Sequence, residues 1–225
     1  MIKPLMAIAL CGLAASGWAQ ATSPVLHGAE PASVAVNDDD WRVEIVPPFA
    51  LPSREPGYHG GAVVERPRAV LLFMGEGWAG ARVSEVHSAF IADMPGLGSL
   101  TRYGVRAHPS VHAQRGTIWT PENGFAHHGG LTDLEIQAQL ERIPSGPSAK
   151  DTVYVLFLPE SHSAFLGEKV GGADFLAYHN QFGSRHGGQL RYVVVPYRHD
   201  AGQLAQAAVR SFVQAVVNPD GTGWY

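Results

Sequence analysis

The residues that could do chemistry gather toward the C-terminal end of the chain. After Arg191, the residues Gln206, Arg210, Gln214 and Asn218 recur at every fourth position, which predicts one polar row on a helix. Just upstream, His199-Asp200-Ala201-Gly202-Gln203 superficially mimics a zinc-peptidase helix motif: an imidazole, an acid beside it, and a third polar group four residues on. The match is weak. Aspartate is a shorter base than glutamate, the Gln203 amide is a poor zinc ligand, and Gly202 weakens the helix that would set the geometry. Histidine is abundant, at 11 residues. His108 and His112 stand four apart, yet Pro109 argues against a shared helix face. His127-His128 and His186 lie in Gly-rich loops. Ser161-His162-Ser163 follows a predicted strand end, a place enzymes use, but no partner acid is identifiable. No G-x-S-x-G elbow occurs either, so a serine hydrolase has little support.

The elements that must position these residues follow from hydrophobic spacing. Ala69 to Met74 and Val153 to Leu158 are unbroken apolar runs of strand length, as expected of strands buried on both faces. Tyr192 to Val195 is a third. From Gln203 to Val217, Leu204, Ala208, Phe212 and Val216 recur every four positions, predicting a long helix with one buried face. Asn218-Pro219 ends it and Asp220-Gly221 turns the chain. Val83, Val86, Phe90, Ile91 and Met94 form a second helical stripe, stopped at Pro95-Gly96. A short helix is expected within Leu97 to Val105, and a strand over Arg115 to Thr120. Thr132-Asp133-Leu134-Glu135 is a capping box; its helix should bury Ile136, Leu140 and Ile143 and stop at Pro144. Gly75-Glu76-Gly77-Trp78-Ala79-Gly80 links a strand to a helix. It lacks the lysine of a P-loop and the third glycine of a dinucleotide fingerprint, so it reads as a tight loop anchored by Trp78. Strands separated by helices predict a single α/β domain with a mixed sheet flanked by helices.

The N-terminus has a different character. Lys3, the apolar stretch Leu5 to Ala15, and small residues around Ala19 predict a signal peptide over residues 1–21, hence a secreted or periplasmic protein. Leu10 before Cys11 does not suit a lipoprotein signal. Cys11 is the only cysteine, so the mature chain is expected to lack disulfides and thiolate chemistry. Residues 22–40 are aperiodic and read as a flexible lead-in. Trp41, Val43 and Ile45 alternate with polar neighbours and predict a strand before Pro47-Pro48; the domain is placed at 41–225. The net charge is −4, and −5 once Lys3 is removed from the 16 basic residues set against 20 acidic ones. No basic block exists, so no nucleic-acid partner is expected. No run beyond the signal is apolar enough to span a membrane. With 26 glycines and 16 prolines, turns and long loops are expected rather than a helical bundle.

From about Ala69 to Tyr225 the order of short motifs resembles bacterial secreted relatives of the plant EXORDIUM/phosphate-induced family. The segments are Gly75 to Gly80, the LTDxxIQxEL-like stretch Leu131 to Leu140, the strand ending Leu158-Pro159, the Tyr178-His179 pair, and the ending Asn218 to Tyr225. The resemblance implies a zincin-like fold in which the last helix carries an HExxE-type zinc motif. On that alignment the motif histidine falls on Arg210, its first glutamate on Ser211, its second on Gln214 and its aspartate on Asn218; none is retained. Arginine has no lone pair and stays protonated. Serine is a poor general base, and the two amides are weak zinc ligands. The resemblance therefore implies no bound cofactor and a non-catalytic protein binding an extracellular protein or a carbohydrate. Arg210 would then either donate to the Gln214 or Asn218 oxygens or belong to a solvated face. Trp78, Trp119 and Trp224 are the candidate carbohydrate-stacking residues, although packing is the commoner role. The alternative is a zinc-dependent hydrolase whose site is rebuilt from His179, His199 and loop histidines. His179 falls in a pair that the plant relatives keep without the metal motif, which favours a structural hydrogen bond.

Overall fold

The computed structural model describes residues 56–118, 129–143 and 149–225, all within the unit Ala35–Tyr225. The expected signal peptide, the lead-in, the strand at Trp41 to Ile45, Trp119, His127-His128 and the Pro144 stop lie outside the described residues.

The apolar runs form the centre of one sheet. Strand β1 (Arg68–Met74) is followed by helix α1 (Gly80–Asp93), the short helix α2 (Leu97–Thr101) and strand β2 (Ser110–Gly116). Next come β3 (Gly130–Thr132), α3 (Asp133–Leu140), β4 (Thr152–Phe157), β5 (Ser163–Leu166), β6 (Lys169–Val170), β7 (Tyr178–Gly183), β8 (Gln189–Val195) and α4 (Ala201–Val217). Five strands make a sheet of order β2-β1-β4-β8-β7; a second sheet has order β3-β5-β6. Within the larger sheet β2, β1, β4 and β8 run parallel, and β7 pairs antiparallel with β8, with His179 opposite Val193. The fold is thus α/β, with a mixed sheet flanked by helices.

Alternation along the strands divides the interior. Leu71, Phe73, Val153, Val155, Phe157, Val193 and Val195 face α1 and α4. Leu72, Met74, Tyr154, Leu156, Tyr192 and Val194 face α3 and the small sheet. Both faces are covered, which is why these strands read as unbroken apolar runs. The four predicted anchors of α4, Leu204, Ala208, Phe212 and Val216, are all buried, and Phe212 meets Phe90 of α1 edge to face at 5.8 Å.

The structure differs from the sequence reading in four places. Ile91 is 47 % exposed: each residue turns a helix by about 100°, which carries Ile91 off the stripe of Val86, Phe90 and Met94. Of the strand expected at Arg115 to Thr120, Arg115 and Gly116 end a strand that begins earlier, β2 at Ser110–Gly116; Thr117 and Ile118 leave it, and Trp119 and Thr120 lie outside the described residues. Strand β2 is an edge strand with most side chains exposed, so no apolar run announces it, and it carries His112 away from any helical pairing with His108. Helix α3 ends at Leu140, although Ile143 still packs on the core. Helix α4 starts two residues early because the Asp200 carboxylate caps it, accepting from the Gln203 amide at 2.7 Å.

Beyond α4 the chain folds back on the segment before β1. The Gly57 and Tyr225 backbones exchange hydrogen bonds at 3.0 and 3.2 Å, His59 N–H donates to Gly223 C=O, and Gly61 N–H to Thr222 C=O. Gly61 and Gly223 sit at close approaches: a Cβ on either would collide with backbone atoms of Thr222 or Val217.

Candidate functional site

The polar row of α4 does not form one site. Gln206, Arg210 and Gln214 are exposed, Ser211 is half-buried, and Asn218 is buried. Four residues advance a helix by 400°, so such a row drifts about 40° per step and its fourth member leaves the solvent face. No hydrogen bond joins Arg210 to Gln214 or Asn218, which corrects the bonded alternative in favour of the solvated face. Asn218 is engaged elsewhere: its Oδ1 accepts from the Gly223 N–H at 2.7 Å, closing the turn into the C-terminal segment. These residues do not fit zinc. Arg210 offers no lone pair, Gln214 is a lone exposed amide, and the Asn218 oxygen already has a donor.

His179 stands at the other end of the question. It is half-buried on β7, and its ring donates to the Asn218 carbonyl beyond the end of α4. Desolvation pushes its pKa down to about 4, the carbonyl only partly opposing this. His199 precedes the opposite end of α4, where it is exposed and 3.5 Å from Glu160. The 17 residues of α4 span about 25 Å, so His179 and His199 do not share a metal. Among the described residues no three His, Cys, Asp or Glu side chains group as a metal site.

Trp78 lines a crevice of about 410 Å3 at the carboxyl ends of β1 and β4, and His199 contacts two of its other walls, lying 3.5 Å from Glu160 and edge to face with Tyr197. From β1 the chain crosses to β2 on one side and from β4 toward β8 on the other, so this is a topological switch point. Glu76, Trp78, Glu160, Ser161 and Tyr197 line it. Trp78 is 3 % exposed; its indole N–H donates to the Met74 carbonyl at 3.1 Å and its ring meets Phe73 edge to face. It is a packing anchor, as the loop reading expected. The Ser161 hydroxyl lies 2.9 Å from His162 Nδ1, yet Glu160 pairs with His199 and no carboxylate orients His162 among the described residues. The pair lacks the third member a nucleophilic serine needs.

A buried polar hub escaped the sequence reading. Asp133, at the first turn of α3, accepts from the phenols of Tyr178 and Tyr192 at 2.7 Å on one oxygen. Gln137 and Asn180 donate to the other at 2.8 and 3.2 Å. Burial, then the Asp133 charge, raises both tyrosine pKa values well above the ordinary range. The Thr132–Glu135 capping box forms as expected. The signal available was positional: Asp133 and Gln137 are one turn apart, and Tyr178 and Asn180 share one face of β7. Every group of the hub is satisfied internally, so it joins α3 to the sheet and presents nothing to a ligand.

No family model matches this sequence, and no curated protein matches it. Among solved structures it is similar to a crystal structure of archaemetzincin from Methanopyrus kandleri, with 11 % identity and a TM-score of 0.36, over 65 % of this chain and 69 % of that one. A likeness this distant carries no argument about site or activity. No helix of the described residues is long and apolar enough to cross a membrane.

Proposed function

We propose that this is a secreted or periplasmic protein without catalytic activity, acting in extracellular binding or signalling on a zincin-like scaffold whose metal motif has decayed. The scaffold and export parts rest on the sequence resemblance and the N-terminal pattern. The observation that supports loss of catalysis is the disposition of the motif positions. Arg210 and Gln214 project into solvent without an acid beside them, and the Asn218 amide closes a turn. Such a set neither holds a Lewis acid nor takes a proton from water.

Two measurements test this on the purified exported protein. Elemental analysis should find no stoichiometric zinc, and chelators should leave the melting temperature unchanged. One zinc per chain, bound through His179 or His199, would overturn the non-catalytic reading. Mass spectrometry should place the mature N-terminus near Gln20 or Thr22; an intact Met1 on the exported chain would refute the export assignment.

A further inference from the structure

The pairing of the C-terminal segment with the segment before β1 gathers aromatic rings at the end of the sheet opposite the crevice. Tyr58 and Trp224 face each other across a backbone bridge with ring centroids 5.2 Å apart, and Tyr103, in the turn after α2, meets Trp224 edge to face at 5.1 Å. The rings border an open groove of about 860 Å3. Tyr58 is 55 % exposed, and Trp224 and Tyr103 are half-buried. Unlike the Trp78 indole, the Trp224 indole N–H bonds none of the described residues. Around the rings stand Glu65, Thr101, Arg102 and Arg106, all exposed, with Arg106 and Glu65 paired at 3.1 Å.

We infer that this groove binds an oligosaccharide chain, with the exposed Tyr58 ring as the stacking platform and Trp224 backing it. A pyranose ring has an apolar C–H face and a rim of hydroxyls. The face lies on an aromatic ring; each hydroxyl both donates and accepts, and so matches a rim that mixes guanidinium, carboxylate and hydroxyl groups. The core of a protein-binding patch is instead depleted of charge, whereas here the Arg102 guanidinium lies over the Tyr103 ring itself, 4.7 Å from its centre. Rings fixed by backbone pairing lose little freedom on binding, which favours affinity for a flexible chain. The inference rests on the binding-protein reading and supplies its ligand class.

The test uses the mature full-length protein against insoluble cellulose, chitin and xylan in pull-downs, and against their soluble hexasaccharides by tryptophan fluorescence. At least one glycan should bind. Tyr58→Ala, an exposed side chain whose removal spares the core, should weaken that binding about tenfold with an unchanged melting temperature. Trp224→Phe, which keeps a ring, should bind better than Trp224→Ala. Absence of binding to all three glycans, undiminished binding by Tyr58→Ala, or competition by a peptide library in place of glycan would overturn the assignment. Release of reducing ends during incubation is scored separately: it would sink the non-catalytic reading and leave the groove assignment standing.

Discussion

Replacing Asp133 by alanine removes the acceptor for four buried donors at once. Gln137 keeps a 3.1 Å contact with the Tyr192 hydroxyl, so its loss is partial. The Tyr178 and Tyr192 phenols have only the Asp133 oxygen to donate to, and both side chains are buried. Each orphaned hydroxyl costs about 1–3 kcal/mol, and a carboxylate near a helix N-terminus adds some tenths more. The expected loss is about 4 kcal/mol, a large share of the 5–15 kcal/mol typical of a domain. Asp133→Asn should cost only about 1–2 kcal/mol. Its carbonyl can still accept from both phenols, and its NH2 group can donate to the Gln137 oxygen once that amide flips, so only the Asn180 donor loses its acceptor. Urea unfolding followed by fluorescence reads both variants as shifts in midpoint at constant slope. An alanine variant within 1 kcal/mol of wild type would refute the hub as a structural joint. Equal losses in the two variants would show that charge, rather than the bonds it accepts, is what matters.

Phe212→Ala should destabilise by about 3–5 kcal/mol, since its ring is 1 % exposed and packed on Phe90; a thermal shift of under two degrees would contradict that packing. His179 gives a pH signature. Its pKa falls from 6.5 unfolded to about 4 folded, so the unfolded chain takes up a proton first and stability drops as pH falls through that window. At about 1.4 kcal/mol per unit the loss is at most about 3.5 kcal/mol, and His179→Gln should flatten the profile; an identical profile in the variant would dismiss the assignment.

The strands of the sheet interior were legible because burial on both faces leaves an unbroken apolar signature, and α4 because its packed face is wide enough to absorb the drift of a four-residue repeat. Strand β2 was not: at the sheet edge its residues Ser110, His112 and Gln114 carry no pattern of burial. The functional positions were less legible still. A linear row such as Gln206, Arg210, Gln214 and Asn218 names neighbours on a helix, but not which of them the rest of the chain covers. The Asp133 hub and the Tyr58–Trp224 pair join residues far apart in sequence. Each partner taken alone, whether a capping-box aspartate or a tyrosine in a Gly-rich loop, has an adequate local explanation.

The clasp between the segment starting at Gly57 and the one ending at Tyr225 has a mechanical consequence. Because the two segments run antiparallel, Gly57 and Tyr225 lie together at its open tip, and the rungs deeper in follow at His59–Gly223 and Gly61–Thr222. A load applied between those two residues peels the rungs one at a time instead of shearing them together, and the first to part is a pair of ordinary backbone hydrogen bonds. Tension through the chain would therefore open the Tyr58–Trp224 platform long before it strained the parallel sheet. Anchoring the molecule by one end only would leave that platform unloaded.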